Sequence, residues 1–202
     1  MRKNITKLIL TASICFLYAF STNAQDDVRP FRIGLKIGTP ILVGGTIEYV
    51  LPIANNKIGI TADLSSFTVE GGGTRFNYTY WSLGGNFYLN KRNIGRGPYL
   101  GVSYANLGFK GSYSGLVSGT NINGSGEGKV NVSQVQFRLG AKTGKGAFFF
   151  QPEIGYGLAS FPSSVTFNAT YSNGQILSTT EPFDVPSGTF SFIASITLGF
   201  TF

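Results

Sequence analysis

The C-terminal end of the chain alternates regularly between apolar and small polar residues. Residues 189–202 read TFSFIASITLGFTF, in which every second side chain is apolar and the last is Phe202. The intervening positions are mostly Ser, Thr and Gly. Because successive side chains of a strand point to opposite faces, this strand has one apolar face and one small, mostly polar face. The pattern is typical of a membrane-spanning barrel strand, with lipid outside and a narrow polar lumen inside.

Eight segments of alternating polarity predict eight strands in one all-β domain. The predicted strands are Phe31–Gly38, Ile41–Leu51, Lys57–Val69, Tyr78–Asn90, Pro98–Tyr113, Lys129–Thr143, Ala147–Ser160 and Thr189–Phe202. Ile41 is expected on the apolar face of the second strand, together with Val43. In the fifth strand the apolar positions change parity at Leu107 and Phe109, and in the sixth they change before Val135. We interpret both shifts as β-bulges, since one extra residue exchanges the faces of a strand.

The connections between the predicted strands alternate between short and long, as in an antiparallel up-and-down barrel of the outer membrane. The short ones are Pro52–Asn56, Lys91–Gly97 and Gly144–Gly146. The others, expected on the outer side, are Thr39-Pro40, Glu70–Asn77, Ser114–Gly128 and Phe161–Gly188. Residues 112–128 are rich in Gly, Ser and Asn, which predicts a flexible loop. The alternation of Val165–Tyr171 predicts an extra hairpin in the last connection.

The first 24 residues have the three parts of a secretory signal peptide. Arg2, Lys3 and Lys7 are basic, residues 8–20 are an apolar run of 13, and small residues up to Ala24 precede Gln25. A helix of that length is too short to cross roughly 30 Å of lipid. We therefore exclude 1–24 from the fold and assign 25–202 to one barrel domain. The single cysteine lies within the signal, so the mature chain is expected to form no disulfide.

The charge content agrees with a surface that faces lipid. Only 12% of the residues are charged, about half of the roughly 25% that is usual in soluble proteins. Three of the 16 basic residues lie in the signal, which leaves 13 against 9 acidic residues and a net charge of +4. That charge is too small to indicate a nucleic-acid partner.

The complete absence of histidine argues against an enzyme. A serine nucleophile without an adjacent base is inert, and zinc sites are built mainly from His and Cys. We expect no catalytic residues, no metal site and no cofactor.

The polar face of the predicted strands carries seven charged residues. They are Arg32, Lys36, Glu48, Asp63, Arg138, Lys142 and Glu153. The interior of an eight-stranded barrel is only wide enough for side chains, and an unpaired charge there is costly. The prediction is an interior polar network of paired charges that plugs the lumen. A narrow ion path lined by the same groups is the alternative.

Aromatic residues cluster towards both ends of the predicted strands, which predicts two aromatic girdles at the lipid headgroups. The inner girdle is expected to contain Phe31, Tyr49, Phe87, Tyr88, Tyr99, Phe148, Phe200 and Phe202. The outer girdle is expected to contain Phe67, Tyr80, Trp81, Phe109, Tyr113, Phe161 and Phe190. Alternation also allows some of them, such as Tyr80 and Tyr88, to face inward.

With these features the chain resembles the small eight-stranded outer-membrane barrels, of which the OmpA barrel domain and OmpX are examples. Residues 87–109 (FYLNKRNIGRGPYLGVSYANLGF) and 192–202 (FIASITLGFTF) look like segments of the outer membrane protein β-barrel domain, or porin-family, group. The resemblance implies a location in the outer membrane, surrounded by its lipid. It also implies that Leu198, Phe200 and Phe202 form the C-terminal signal read by the barrel-assembly machinery.

Three functional hypotheses follow from the sequence. The first is an integral outer-membrane barrel with a structural or surface-interaction role, whose outer loops meet an unidentified ligand or partner. The second is a narrow pore for small solutes, although wide aqueous channels take about 16 strands. The third is a soluble lipocalin-like carrier, which the low charge content disfavours because its outer face would need many Lys and Glu residues.

Overall fold

The computed structural model describes residues 29–90, 95–116, 123–171, 173, 175–182 and 190–202. The strands are β1 (Phe31–Thr39), β2 (Leu42–Leu51), β3 (Ile58–Gly71), β4 (Thr74–Tyr88), β5 (Gly97–Leu116), β6 (Asn123–Lys142), β7 (Phe148–Ser160), β8 (Ser164–Tyr171), β9 (Ile176–Pro182) and β10 (Phe190–Thr201). A single turn of 3-10 helix, Ala54–Asn56, lies between β2 and β3. No helix in these ranges is long and apolar enough to cross a membrane.

Eight of the strands form a closed antiparallel barrel, which confirms the predicted fold class. β1 to β7 pair in chain order, and β10 closes the barrel by pairing with both β7 and β1. The remaining two strands, β8 and β9, form the extra hairpin predicted in the last connection. β8 pairs with β6 over five residue pairs, from Gly124–Tyr171 to Gly128–Phe167. The seven predicted charged positions therefore lie on strands of one closed barrel.

The sheet extends much further at one end of the barrel than at the other. The base is the end at which Phe31 and Phe202 meet, and it carries the short turns. At the opposite, extended end, the β3–β4 and β5–β6 hairpins and the β8–β9 hairpin continue the sheet. β5 and β6 have 20 residues each, about twice the 9–11 that a tilted strand needs to cross a bilayer.

Two predicted outer loops are strands instead. Residues 70–77 are almost entirely strand, because only Gly72 and Gly73, both with positive φ, turn the chain between β3 and β4. Residues 112–116 pair with residues 123–127 in continuous register, and Gly128 pairs with Gly111, so the flexible-loop prediction for 112–128 was wrong over these parts. Residues 117–122 lie outside the described part. Gly, Ser and Asn do not prevent pairing, because the hydrogen bonds of a ladder come from the backbone.

Towards the base, the outer face of the barrel is apolar and the inner face is polar. The cross-strand row Ala62, Leu83, Tyr104 and Val135 points outward, and Leu83 and Tyr104 are 57% and 47% exposed. Over residues 191–201 of β10, the outward side chains are apolar and the inward ones are mostly small and polar, as the C-terminal alternation predicts. This outer band suits a surface that contacts hydrocarbon rather than water.

Towards the extended end, the two faces exchange polarity. The outward row Ser66, Thr79, Gly108 and Asn131, which we call the polarity line, marks the exchange. Beyond it the outward row is Glu70, Arg75, Ser112 and Glu127. The inward row next to the line is Phe67, Tyr78, Phe109 and Val130, which we call the apolar row. The strands therefore pass from surroundings that favour apolar surface to surroundings that favour charge.

The polarity line explains the two parity shifts, and the prediction of bulges was wrong. β5 keeps an unbroken one-to-one register with both β4 and β6. Leu107 and Phe109 are apolar because the inward positions on both sides of the line are apolar, with no change of face. The prediction for Ile41 was also wrong. The residue is 1% exposed and packs inside with Tyr78, because β2 begins only at Leu42, whose φ is 59°.

Candidate functional site

The barrel interior near the base is organised around the carboxylate of Glu48. Arg32 Nη1 lies 2.7 Å from Glu48 Oε2, and Lys142 forms an ion pair with the same oxygen. Glu48 Oε1 accepts hydrogen bonds from the Tyr88 hydroxyl at 2.7 Å and from Asn86 Nδ2 at 3.0 Å. All five side chains are buried. One oxygen of Glu48 therefore has two cationic partners and the other accepts two hydrogen bonds, as a buried carboxylate requires.

A second cluster of charges lies at mid-height. Lys36 Nζ is 2.9 Å from Asp63 Oδ2 and 2.9 Å from Glu153 Oε1, so that it bridges the two acids. Arg138 Nη1 lies 3.7 Å from Asp63 and 3.5 Å from Glu153. Two bases therefore face two acids, and this cluster is neutral. The structure brings all seven charged residues named from the sequence into the interior, in these two neighbouring clusters.

Several neutral partners of the acids were missed by the sequence reasoning. Tyr99 is fully buried, and its hydroxyl donates to Glu153 Oε2 at 2.7 Å and accepts from Gln151 Nε2 at 2.7 Å. Ser82 donates to Asp63 Oδ2 at 3.1 Å. The inner-girdle assignment was wrong for Tyr99 and Tyr88, although alternation allows Tyr88 to face inward. Tyr99 and Ser103 are both odd-numbered residues of the same predicted strand, so they lie on the same face. This shared parity was the sequence signal that Tyr99 faces inward.

The charged interior leaves little free space. A cavity of about 10 Å³ lies among Arg32, Lys36, Glu48, Asp63 and their neighbours, which is room for about one water molecule. Gly59 leaves room for the Glu48 carboxylate, since a Cβ at this position would collide with it. The four bases and three acids leave one net positive charge inside.

The apolar row lies across the lumen on the extended side of the charges. The ring of Tyr78 lies 5.0 Å from that of Phe67 and 5.3 Å from that of Phe109, and its hydroxyl donates to the Pro40 carbonyl. Tyr80, Leu107 and further apolar residues pack with the row. The outer-girdle assignment was therefore wrong for four aromatics that pack inside, namely Phe67, Tyr80, Phe109 and Phe161.

The three residues of the expected assembly signal lie on and beside the closing strand. Leu198 and Phe200 point outward and are 49% and 53% exposed. The Phe202 backbone NH donates to the Phe31 carbonyl at 2.8 Å, and the Phe31 NH donates back at 3.3 Å. Phe202 is therefore part of the seam that joins the last strand to the first.

The described residues contain no group of three or more His, Cys, Asp or Glu side chains arranged to hold a metal ion. The signal-peptide prediction, with Cys15 and the cleavage site, lies outside the described residues.

Two of the solved structures that are similar to this chain come from Acinetobacter baumannii. CarO2 of Acinetobacter baumannii is 13% identical, with a TM-score of 0.43, over 87% of this chain and all of that one. CarO of the same organism is 12% identical, with a TM-score of 0.45, over 86% of this chain and 98% of that one. No protein-family model and no curated protein matches the sequence. The resemblance to the OmpA barrel and OmpX therefore stays a prediction from the strand pattern.

Proposed function

We propose that this chain is an integral protein of the outer membrane, anchored by a plugged barrel, with a structural or surface-interaction role at its extended end. The observation that carries the proposal is the polarity line. On one side of it the barrel exposes an apolar band, and on the other it exposes the ion pairs Glu70–Arg75 and Lys110–Glu127. That exchange supports an arrangement with lipid around the base half and water around the extended half.

The plug is proposed to consist of two layers. The charged clusters fill the lumen within the apolar band, and the apolar row closes it on the side of the extended end. Ions that cross the barrel would have to displace paired charges and then pass tightly packed rings, and both steps are costly.

The first test is planar-bilayer recording on the refolded protein. We expect small or no steady conductance from the wild type. A triple variant, Phe67→Ala, Tyr78→Ala and Phe109→Ala, removes the rings of the apolar row and should conduct more than the wild type. A large, steady wild-type conductance would overturn the plug. Extraction of the native protein by detergent but not by high salt tests the membrane location, and release by salt alone would contradict it.

A narrow pore is the second candidate, and one observation favours it. Within the described residues, Asp63 Oδ1 and Arg138 Nε have no protein hydrogen-bond partner, and buried polar atoms of this kind commonly bind water. The same recordings separate the two candidates, since a pore along the charged clusters should lose selectivity or conductance when Arg138 is replaced.

A further inference from the structure

The extended end of the barrel contains a cleft of about 460 Å³. It lies on the inward face of the sheet formed by β5, β6, β8 and β9, and Phe109 and Val130 of the apolar row form part of its lining. Its apolar side chains come from all four strands, and they are Phe109, Tyr113, Val130, Val165, Phe167 and Leu177. The volume lies within the range of roughly 300–1,000 Å³ that is usual for small-molecule sites.

The floor of the cleft is made of glycine in the parts of two long strands that lie towards the extended end. A Cβ at Gly111 or at Gly126 would meet nothing within 4 Å, so both backbones face open space. At Gly128, by contrast, the ring of Phe167 takes the place of a side chain, with Cδ1 2.8 Å from the Cβ position. Glycine inside a strand often marks a place where a ligand lies close to the backbone.

The walls of the cleft are apolar, partly aromatic and exposed. Tyr113 and Phe167 are 47% and 50% exposed, and Leu177 is 55% exposed. All three lie beyond the polarity line, where the outer face is charged. Apolar surface that is exposed and concave in such surroundings is characteristic of a binding site.

The nearby charges are already paired with each other. Glu127 reaches the rim, but its carboxylate lies 2.8 Å from Lys110 Nζ, on the outward side of the sheet. Asn168 reaches the rim as well, and its side-chain oxygen accepts a hydrogen bond from Ser178 at 2.7 Å. The cleft therefore offers no uncompensated charge to a carboxylate or an amine among its described residues, and it favours an uncharged ligand.

We propose that this cleft binds a neutral aromatic small molecule, with one flat face on the Gly111–Gly126 floor and its edges against Phe109, Tyr113 and Phe167. A flat ring fits a floor without side chains, and ring-to-ring contacts at the walls add to the burial of apolar area. The proposal rests on the proposed function in one respect, because that function places the cleft on the water side of the membrane.

The test uses the protein refolded into nanodiscs of zwitterionic phospholipid, with N-phenyl-1-naphthylamine as the fluorescent neutral aromatic probe. Empty nanodiscs measure partitioning of the probe into lipid. The wild type should show a saturable component with one probe per protein above that background. Gly126→Leu fills the open floor and should weaken the saturable component at least tenfold, and Phe167→Ala should weaken it severalfold.

Gly45→Leu is the matched control. Gly45 is also a strand glycine with nothing within 4 Å of its Cβ position, but it lies on the outer face of β2. Its substitution should leave probe affinity unchanged. Equal effects of Gly126→Leu and Gly45→Leu, or a wild type that cannot be distinguished from empty discs, would overturn the ligand proposal.

Two further outcomes are diagnostic. Protein that enters the discs and shows heat-modifiable migration but no saturable binding contradicts the ligand while leaving the membrane barrel intact. Protein that stays outside the discs overturns the proposed function, and the ligand proposal with it. If Gly126→Leu changes the number of protein copies per particle but not the probe affinity, the cleft accommodates a second copy of the chain, and the ligand proposal is wrong.

Discussion

Lys36 and Glu153 lie 2.9 Å apart inside the barrel, although their strands, β1 and β7, are separated by β10. Lys36 also contacts Asp63 on β3, on the other side of β2. One ammonium group therefore joins strands from opposite sides of the barrel closure. The pairing network connects elements that share no backbone hydrogen bonds, so loss of one member should affect the whole barrel.

Replacement of Arg138 should destabilise the barrel strongly. Arg138→Ala leaves Asp63 and Glu153 with one cation instead of two in a buried site. Removal of one partner from a buried ion pair commonly costs roughly 3–5 kcal/mol of unfolding free energy. Urea unfolding in detergent or lipid, followed by gel migration without heating, measures the effect.

Lys129→Ala is the control for that measurement. Lys129 is exposed on the outward face beyond the polarity line, and substitutions at such positions usually change stability by less than about 0.5 kcal/mol. If both variants lower the unfolding free energy equally, the pairing network does not stabilise the barrel.

The difference in surroundings on the two sides of the polarity line can be tested by introducing lysine on either side of it. Leu83→Lys places a charge within the apolar band, where lysine costs about 2–4 kcal/mol near the middle of a bilayer. Ser125→Lys, exposed and beyond the line, should change stability little. Unfolding of both variants in lipid vesicles tests the difference. Similar losses for the two would place lipid on both sides of the line and remove the basis for the proposed orientation.

The sequence predicted the fold well because a barrel in lipid imposes one simple rule on every strand. Alternation placed Arg32, Lys36, Asp63 and the other charges on one face, and closure of eight strands then brings that face into a narrow space. The interior location of charge thus follows from parity alone. Which base pairs with which acid does not, since it depends on the stagger between strands that are far apart in the chain.

The errors of prediction have one main physical cause. A bulge and a change of surroundings both move apolar residues to the other parity, as at Leu107 and Phe109, and only the register tells them apart. Because of the same ambiguity, Phe67 and Phe109 were predicted in an aromatic girdle facing lipid, whereas both belong to the apolar row inside the barrel. The cleft was not predictable either, because its floor is glycine, which carries no polarity signal.

We expect the protein to be exported and its N-terminal segment to be cleaved off after Ala24. The basic start, the apolar run of 13 residues and the small residues before Gln25 motivate it. N-terminal sequencing of the protein recovered from the envelope should begin at Gln25. A recovered chain that still contains Cys15 would contradict the prediction.

Loss of Phe202 should impair assembly of the barrel. The residue makes two backbone hydrogen bonds to Phe31 at the seam, and its ring lies 6.4 Å from that of Phe31. Deletion of Phe202, or Phe202→Lys, removes the aromatic end of the alternating strand and should lower the amount of heat-modifiable protein in the membrane. Phe202→Tyr keeps the ring and the backbone and should assemble like the wild type. Wild-type amounts of folded protein from the deletion variant would show that this residue is not part of the assembly signal, and refolding of the purified variants separates that role from the stability of the seam.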